Sequence, residues 1–146
     1  MTKHVFFLGV GGIGMSALAR HLHSLGHVVG GYDANPSPLL DALQEEGLWV
    51  THLDDPEILP SWVLGAAPNT LTVVYTPAIP PNLAHLLHFK AQGHVPMKRA
   101  HLLGKLTSQK PTLAVAGTHG KTTTSNWLAA MLWEMPDRCH AFLGGI

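Results

Sequence analysis

Six residues carrying four glycines, Gly9-Val10-Gly11-Gly12-Ile13-Gly14, constrain this chain more than any other feature. The apolar run His4-Val5-Phe6-Phe7-Leu8 precedes them. Ile13, Ala17, Leu18, Leu22 and Leu25 follow at helical spacing, up to Gly26. The run reads as a strand buried on both faces, and the periodic stretch as a helix closed by Gly26. Val28 to Tyr32 read as a second strand that ends at Asp33. Strand, turn, helix and strand within about 30 residues make a βαβ unit, whose strands run parallel. In this G-x-G-x-x-G, Gly9 permits the tight turn, Gly11 lets backbone approach a pyrophosphate, and Gly14 allows close helix–strand packing. The helix N-terminus then offers N–H groups and partial positive charge to an anion. Asp33 is placed to hydrogen-bond a ribose hydroxyl if the ligand is a nucleotide.

The alternation continues. Ser37 predicts an N-cap, with Pro38 at the first helical position, for a helix through Glu46 that Gly47 stops. Leu48 to Thr51 read as a strand. Residues 53–69 hold three prolines and read as loop with one helical turn. Leu71 to Tyr75 form a strand, Asn82 caps a helix to Gln92, and residues 94–97 form a short edge strand containing Pro96. Arg99 to Leu106 are helical, and the polar segment 107–111 marks a domain boundary. The pattern then restarts, with a strand over 112–116, a loop over 117–120, a helix from Lys121 to Glu134, and a strand beginning at Ala141-Phe142-Leu143. The expected fold class is α/β with a parallel sheet.

The restart carries a second phosphate-type loop, Gly117-Thr118-His119-Gly120-Lys121-Thr122-Thr123. Backbone N–H groups of such a loop cradle phosphates, the lysine reaches the β and γ oxygens, and the next hydroxyl binds Mg²⁺. It departs from G-x-x-x-x-G-K-[ST], because Val115 stands where the first glycine belongs and the glycine falls at 117. A nicotinamide dehydrogenase has no use for the second loop, and a simple P-loop ATPase has none for the first.

Composition removes other classes. With 9 Lys+Arg against 9 Asp+Glu the net charge is zero, which gives no pull toward nucleic acid or an anionic membrane. The start lacks a cleavable secretory pattern, and no stretch reaches the length of a membrane span. The single Cys139 cannot form an internal disulfide, which suits a reducing cytosol. Charged residues are only 12%, against about 25% in an average domain, so either the 11 His and the neutral polar residues cover the surface or part of it faces other protein. In the latter case exposed apolar area should gather on 112–146 and on the rim 76–81. The histidines His21, His23, His85 and His88 read as polar surface, and Trp127 and Trp133 as core.

The two loops, in this order and about a hundred residues apart, resemble the Mur ligase family. GVGGIGMSALARHLHSLGHVVGGYD at 9–33, VVYTPAIP at 73–80, PMKRAHLLGKL at 96–106 and AVAGTHGKTTT at 114–124 carry the likeness, and the misfit at Val115 fits this family's loop. The resemblance implies a ligase that joins L-alanine to the lactyl carboxylate of UDP-N-acetylmuramate. The resemblance implies a Rossmann-like parallel sheet domain for the UDP-sugar at 1–107. The start of a P-loop ATPase domain follows at 108–146, severed from the rest of the central and C-terminal domains. Gly9, Gly11, Gly12, Ile13 and Gly14 would hold the UDP diphosphate rather than NAD. Asp33 would meet the uridine portion, and Thr76, Ala78 and Ile79 would line the same crevice. Gly117, Thr118, His119, Gly120, Lys121, Thr122 and Thr123 would hold ATP, with Lys121 as the catalytic group on its phosphates and Thr122 on Mg²⁺. The implied reaction, in the cytoplasm and in peptidoglycan precursor synthesis, forms an amide through an acyl phosphate. The family's other Mg²⁺ ligands and its L-alanine residues would fall beyond residue 146, so this piece is expected to lack ligase activity alone.

Overall fold

The computed structural model describes residues 3–134 and 139–142. Five parallel strands form one sheet in the order β3-β2-β1-β4-β5: β1 His4–Leu8, β2 Val28–Tyr32, β3 Trp49–Thr51, β4 Leu71–Tyr75 and β5 Met97–Lys98. Helices α1 Ile13–Ser24, α2 Pro38–Glu45 and α4 Ala84–Ala91 make the crossovers β1 to β2, β2 to β3 and β4 to β5. A 3-10 turn, Pro56–Ile58, and the single-turn helix α3, Ser61–Leu64, occupy the proline-rich link. Helices α5 Arg99–Thr107 and α6 Lys121–Trp133 follow β5.

Strand alternation divides the core into two layers. Val5 and Phe7 point to one face, where Met15, Leu18 and Leu22 of α1, Leu40 and Leu43 of α2 and Leu102 of α5 cover them. Phe6 and Leu8 point to the other, against Leu59, Val63, Leu83, Leu86 and Phe89. A sheet covered on both faces demands the continuous apolar runs of β1 and β4. Burying a side chain the size of Phe6 or Phe7 contributes about 1.5–3 kcal/mol, and both are fully buried.

Most helix signals act as read. Ser37 accepts the Leu40 N–H to cap α2, and Gly26, Gly47 and Gly93 adopt positive φ just past α1, α2 and α4. Other expectations need correction. Asn82 does not cap α4: Asp54, about thirty residues earlier in the chain, accepts the N–H groups of Ala84 and His85 at 2.8 and 3.0 Å. Asp54 lies between β3 and the 3-10 turn, and its carboxylate takes the place of a local cap. His85 is not surface; it is fully buried between Phe6 and Tyr32. Residues 112–116 form no strand, because none of the five sheet strands pairs with them and an unpaired segment has no ladder to hold it extended. Ala141 and Phe142 are likewise not in a strand, and Leu143 lies outside the described residues.

The last helix differs from the others. No residue of α6 is buried, and Trp127 and Trp133 are exposed rather than core. No second layer of described residues covers this helix. With Leu113 and Met131 they form the apolar exposure anticipated for the C-terminal segment. The rim 76–81 shows none of comparable size, while Leu25, Leu53, Leu64, Leu87 and Val95 are exposed elsewhere. After α6 the chain returns to α1, where the rings of His140 and Phe142 meet His21 at 4.4 and 5.3 Å.

Candidate functional site

The sheet order places a topological switch point at β1: the chain moves outward through β2 and β3, then returns to pair β4 on the opposite side. In open α/β sheets the crevice beyond the carboxyl ends of such strands is where ligands sit. Here the glycine loop after β1 and the Thr76–Ile79 turn after β4 border that crevice. The Thr76 N–H donates to the Leu8 carbonyl at 3.3 Å, and the Ile79 N–H to the Thr76 carbonyl at 3.2 Å.

Each glycine of the first loop has a definable role. Gly9 sits at φ +88°, where L side chains are strained. A Cβ there would collide with the Thr76 methyl and lie 3.4 Å from Ile79 Cγ2, so this glycine lets the two rim segments meet. The N–H groups of Gly9 and Val10 both donate to the Tyr32 carbonyl, at 2.7 and 3.0 Å. Gly11 donates to Asp33 Oδ2 at 2.8 Å, and a Cβ at Gly11 would stand 2.8 Å from that same oxygen. Gly14 does not serve close helix–strand packing. The atoms that a Cβ there would strike belong to the Arg99 guanidinium. Gly12 is the N-cap of α1, and exposed Ile13 is its first residue.

Asp33 is half-buried and spends both carboxylate oxygens on backbone: Oδ2 on Gly11, Oδ1 on the Asn35 N–H at 3.1 Å. A carboxylate has about four lone-pair sites, so acceptor capacity remains. Gly9, Gly11, Asp33, Thr76 and Ile79 are thus brought together, with Ala78 exposed in the same turn.

The second loop lies between α5 and α6. Gly120, at φ +76°, leads into α6, and the Thr124 N–H starts the helical ladder on the Gly120 carbonyl at 2.9 Å. Lys121 Nζ folds back onto the carbonyls of Gly117 and Thr118, at 2.6 and 3.2 Å. Thr118, His119 and Thr123 are exposed and Thr122 is half-buried.

Helices α1, α3, α5 and α6 lack a side-chain cap, and of these only α1 and α6 follow a glycine loop. A hydroxyl or carboxylate satisfies the N-termini of α2, the 3-10 turn and α4. Helices α1 and α6 start at glycine, have no side-chain cap and carry no acid in their first turn. The partial positive charge of such helix starts suits an anion. A family model described as the Mur ligase family catalytic domain matches residues 4–111.

The chain belongs to the Mur ligase family.

This Mur ligase chain is 47% identical over 144 residues to a UDP-N-acetylmuramate–L-alanine ligase of Porphyromonas gingivalis, covering 99% of itself and 31% of that protein. It is 49% identical over 142 residues to the ligase of the same name in Parabacteroides distasonis, covering 97% of itself and 30% of that protein. The chain therefore spans about a third of the length of the curated relatives it matches. Its fold is that of the UDP-N-acetylmuramate–alanine ligase of Thermotoga maritima, with TM-score 0.75 and 23% identity over 97% of this chain and 35% of that one. A UDP-N-acetylmuramate:L-alanyl-γ-D-glutamyl-meso-diaminopimelate ligase of Neisseria gives TM-score 0.76 and 28% identity, over 90% of this chain and 40% of that one.

Sequence reading missed Arg99 as part of the glycine-loop rim. The signal was present: Lys98 and Arg99 open α5, whereas cations are disfavoured at helix N-termini.

Proposed function

We propose that this chain carries the UDP-sugar site and the ATP loop of a ligase that joins L-alanine to the lactyl carboxylate of UDP-N-acetylmuramate. One observation carries the reading. Two uncapped, acid-free helix N-termini, each behind a glycine loop, occur in a single chain nearly half identical to ligases of that name over almost all its length. A dehydrogenase reading leaves the second loop without purpose.

Gly9, Gly11, Gly12, Ile13 and Gly14 hold the diphosphate at the start of α1. Asp33 uses its remaining lone pairs on the uridine portion while it braces the loop. Thr76, Ala78 and Ile79 line the far wall of the crevice. Residues 1–107 form this UDP-sugar unit, and 108–146 begin an ATPase unit that the remaining central and C-terminal domains complete. Gly117 to Thr123 hold ATP. Lys121 exchanges the loop carbonyls of Gly117 and Thr118 for phosphate oxygens, a swap of partners that keeps its charge solvated throughout.

The chemistry follows from the substrate. A carboxylate is a poor acyl donor at neutral pH. ATP phosphorylates it, the amine of L-alanine attacks the acyl phosphate, phosphate leaves, and an amide remains. Lys121 stabilises charge on the transferring phosphoryl group. Bound Mg²⁺ supplies further charge neutralisation at the phosphates. Thr122 offers one hydroxyl to it, and no cluster of three or more His, Cys, Asp or Glu gathers among the described residues. Thr122 would hold such an ion beside the triphosphate oxygens, with further ligands supplied from outside this chain.

The test is reconstitution. A protein containing this chain and the two further domains, given ATP, UDP-N-acetylmuramate and L-alanine, releases phosphate and forms the amide. The 146-residue chain alone forms none. Phosphate release from the longer protein that ignores L-alanine, or amide formation by the short chain, contradicts the reading.

A further inference from the structure

We infer that Arg99 binds the phosphates at the glycine loop, so that the anion site is closed by a residue from the far edge of the sheet. The inference rests on the reading of that loop as a nucleotide diphosphate site.

Three observations carry it. First, the Arg99 guanidinium lies directly over Gly14, in the first turn of α1, so close that a Cβ at position 14 would collide with it and sit 3.2 Å from Cζ. Gly14 needs no positive φ. What it provides is room for this cation. Second, the surrounding field is positive. Arg99 is the first residue of α5, Lys98 is its N-cap, and neither α1 nor α5 has an acid in its first turn or a side-chain cap. Two helix N-termini and a guanidinium repel one another unless an anion stands among them. Third, no carboxylate supplies that anion. Among the described residues no ion pair involves Arg99. Asp33, the acid that reaches this loop, is held by the N–H groups of Gly11 and Asn35 instead.

The ligand chemistry follows. A planar guanidinium matches two phosphate oxygens at once, whereas the helix N-terminus offers single N–H groups. The site therefore prefers a diphosphate, with one phosphate on the α1 N-terminus and the other within reach of Arg99. The uracil and ribose lie outside its reach. Arg99 should thus discriminate between phosphorylated and unphosphorylated uridine and be indifferent to the base.

Calorimetric titration of the 146-residue chain with UDP and with uridine tests this. Arg99→Ala is expected to weaken UDP binding about tenfold or more, the size of a lost charge-assisted contact, and to leave uridine binding unchanged. Arg99→Lys recovers part of the loss, because charge returns without the bidentate fork. Gly14→Ala, which pushes the guanidinium aside, reproduces the UDP-specific loss with Arg99 intact and adds nothing to Arg99→Ala. UDP affinity of Arg99→Ala within about twofold of the unsubstituted chain overturns the role of Arg99 and leaves the site reading in place. So does an equal loss for UDP and uridine, which marks a general disturbance of the fold. If the unsubstituted chain binds neither compound, the site reading falls and Arg99's role falls with it.

Discussion

Asp33 Oδ2 accepts the Gly11 N–H at 2.8 Å, so the residue just after β2 fixes the loop that follows β1. Its other oxygen holds the next turn through Asn35. Asp33→Ala is expected to lose about 1–3 kcal/mol of unfolding free energy, the cost of stranding charge-assisted hydrogen bonds. Asp33→Asn keeps one acceptor and should lose clearly less. Urea denaturation of the two variants measures this. An alanine variant as stable as the unsubstituted chain means the loop does not depend on Asp33.

Gly9 joins the two walls of the crevice. Gly9→Ala meets two obstacles, a left-handed backbone at φ +88° and the Thr76 methyl. The expected loss is about 1–3 kcal/mol. Thr76→Ser removes only the methyl, so in the Gly9→Ala background it should restore part of the stability and not all. Full restoration means the backbone carries no strain there; none means the two walls do not touch.

The pH dependence has a direction. Burial lowers the His85 pKa from its ordinary value, and the nearby Asp54 carboxylate opposes this only in part. Burial likewise lowers His94, and lowers His21 with help from His140. The unfolded chain therefore binds more protons than the folded one just below pH 6.5, and stability rises with pH. It is complete above the ordinary histidine value and falls as pH drops below it, with a slope approaching about 1.4 kcal/mol per pH unit for each histidine that stays neutral in the fold. His85→Leu should flatten the profile between about pH 6.5 and 5.5, before carboxylates enter. Unfolding free energies across that range decide it, and an unchanged slope in His85→Leu rejects the assignment.

Legibility in the sequence tracked how local the cause was. The strands β1, β2 and β4, the start of α2 at Ser37-Pro38 and the glycine stops of three helices rest on neighbours in the chain, and each was readable. The cap of α4 was not, because Asp54 arrives from about thirty residues away. His85 misled because its immediate sequence suggests a helix surface, while its burial is set by Phe6 and Tyr32 on other strands. The strand expected over 112–116 has the right residues and lacks a partner. Gly11 and Gly9 were legible as parts of a loop, yet what they make room for, Asp33 and Thr76, shows only in three dimensions. Arg99 is the same case.

The C-terminal segment should open first. Residues 112–116 carry no ladder and no residue of α6 is buried, whereas β1 and β4 sit in the middle of the sheet. Amide hydrogen exchange over 112–134 is expected to be faster by orders of magnitude than in β1 and β4. Equal protection in both would show that α6 is held as firmly as the sheet.

The second loop has its own signature. Lys121→Ala should weaken ATP binding about tenfold or more, as loss of a charged phosphate contact does, and leave UDP binding untouched because Lys121 Nζ bonds to its own loop at Gly117 and Thr118. Titration with both nucleotides checks it. A parallel loss of UDP affinity would place Lys121 in the first site.

The central claim is that the glycine loop after β1 receives a UDP-sugar rather than a dinucleotide. Calorimetric titration of this chain with UDP-N-acetylmuramate and, separately, with NADH tests it most directly. The account predicts saturable one-to-one binding of UDP-N-acetylmuramate and no measurable heat from NADH. Saturable NADH binding with none for UDP-N-acetylmuramate would contradict it.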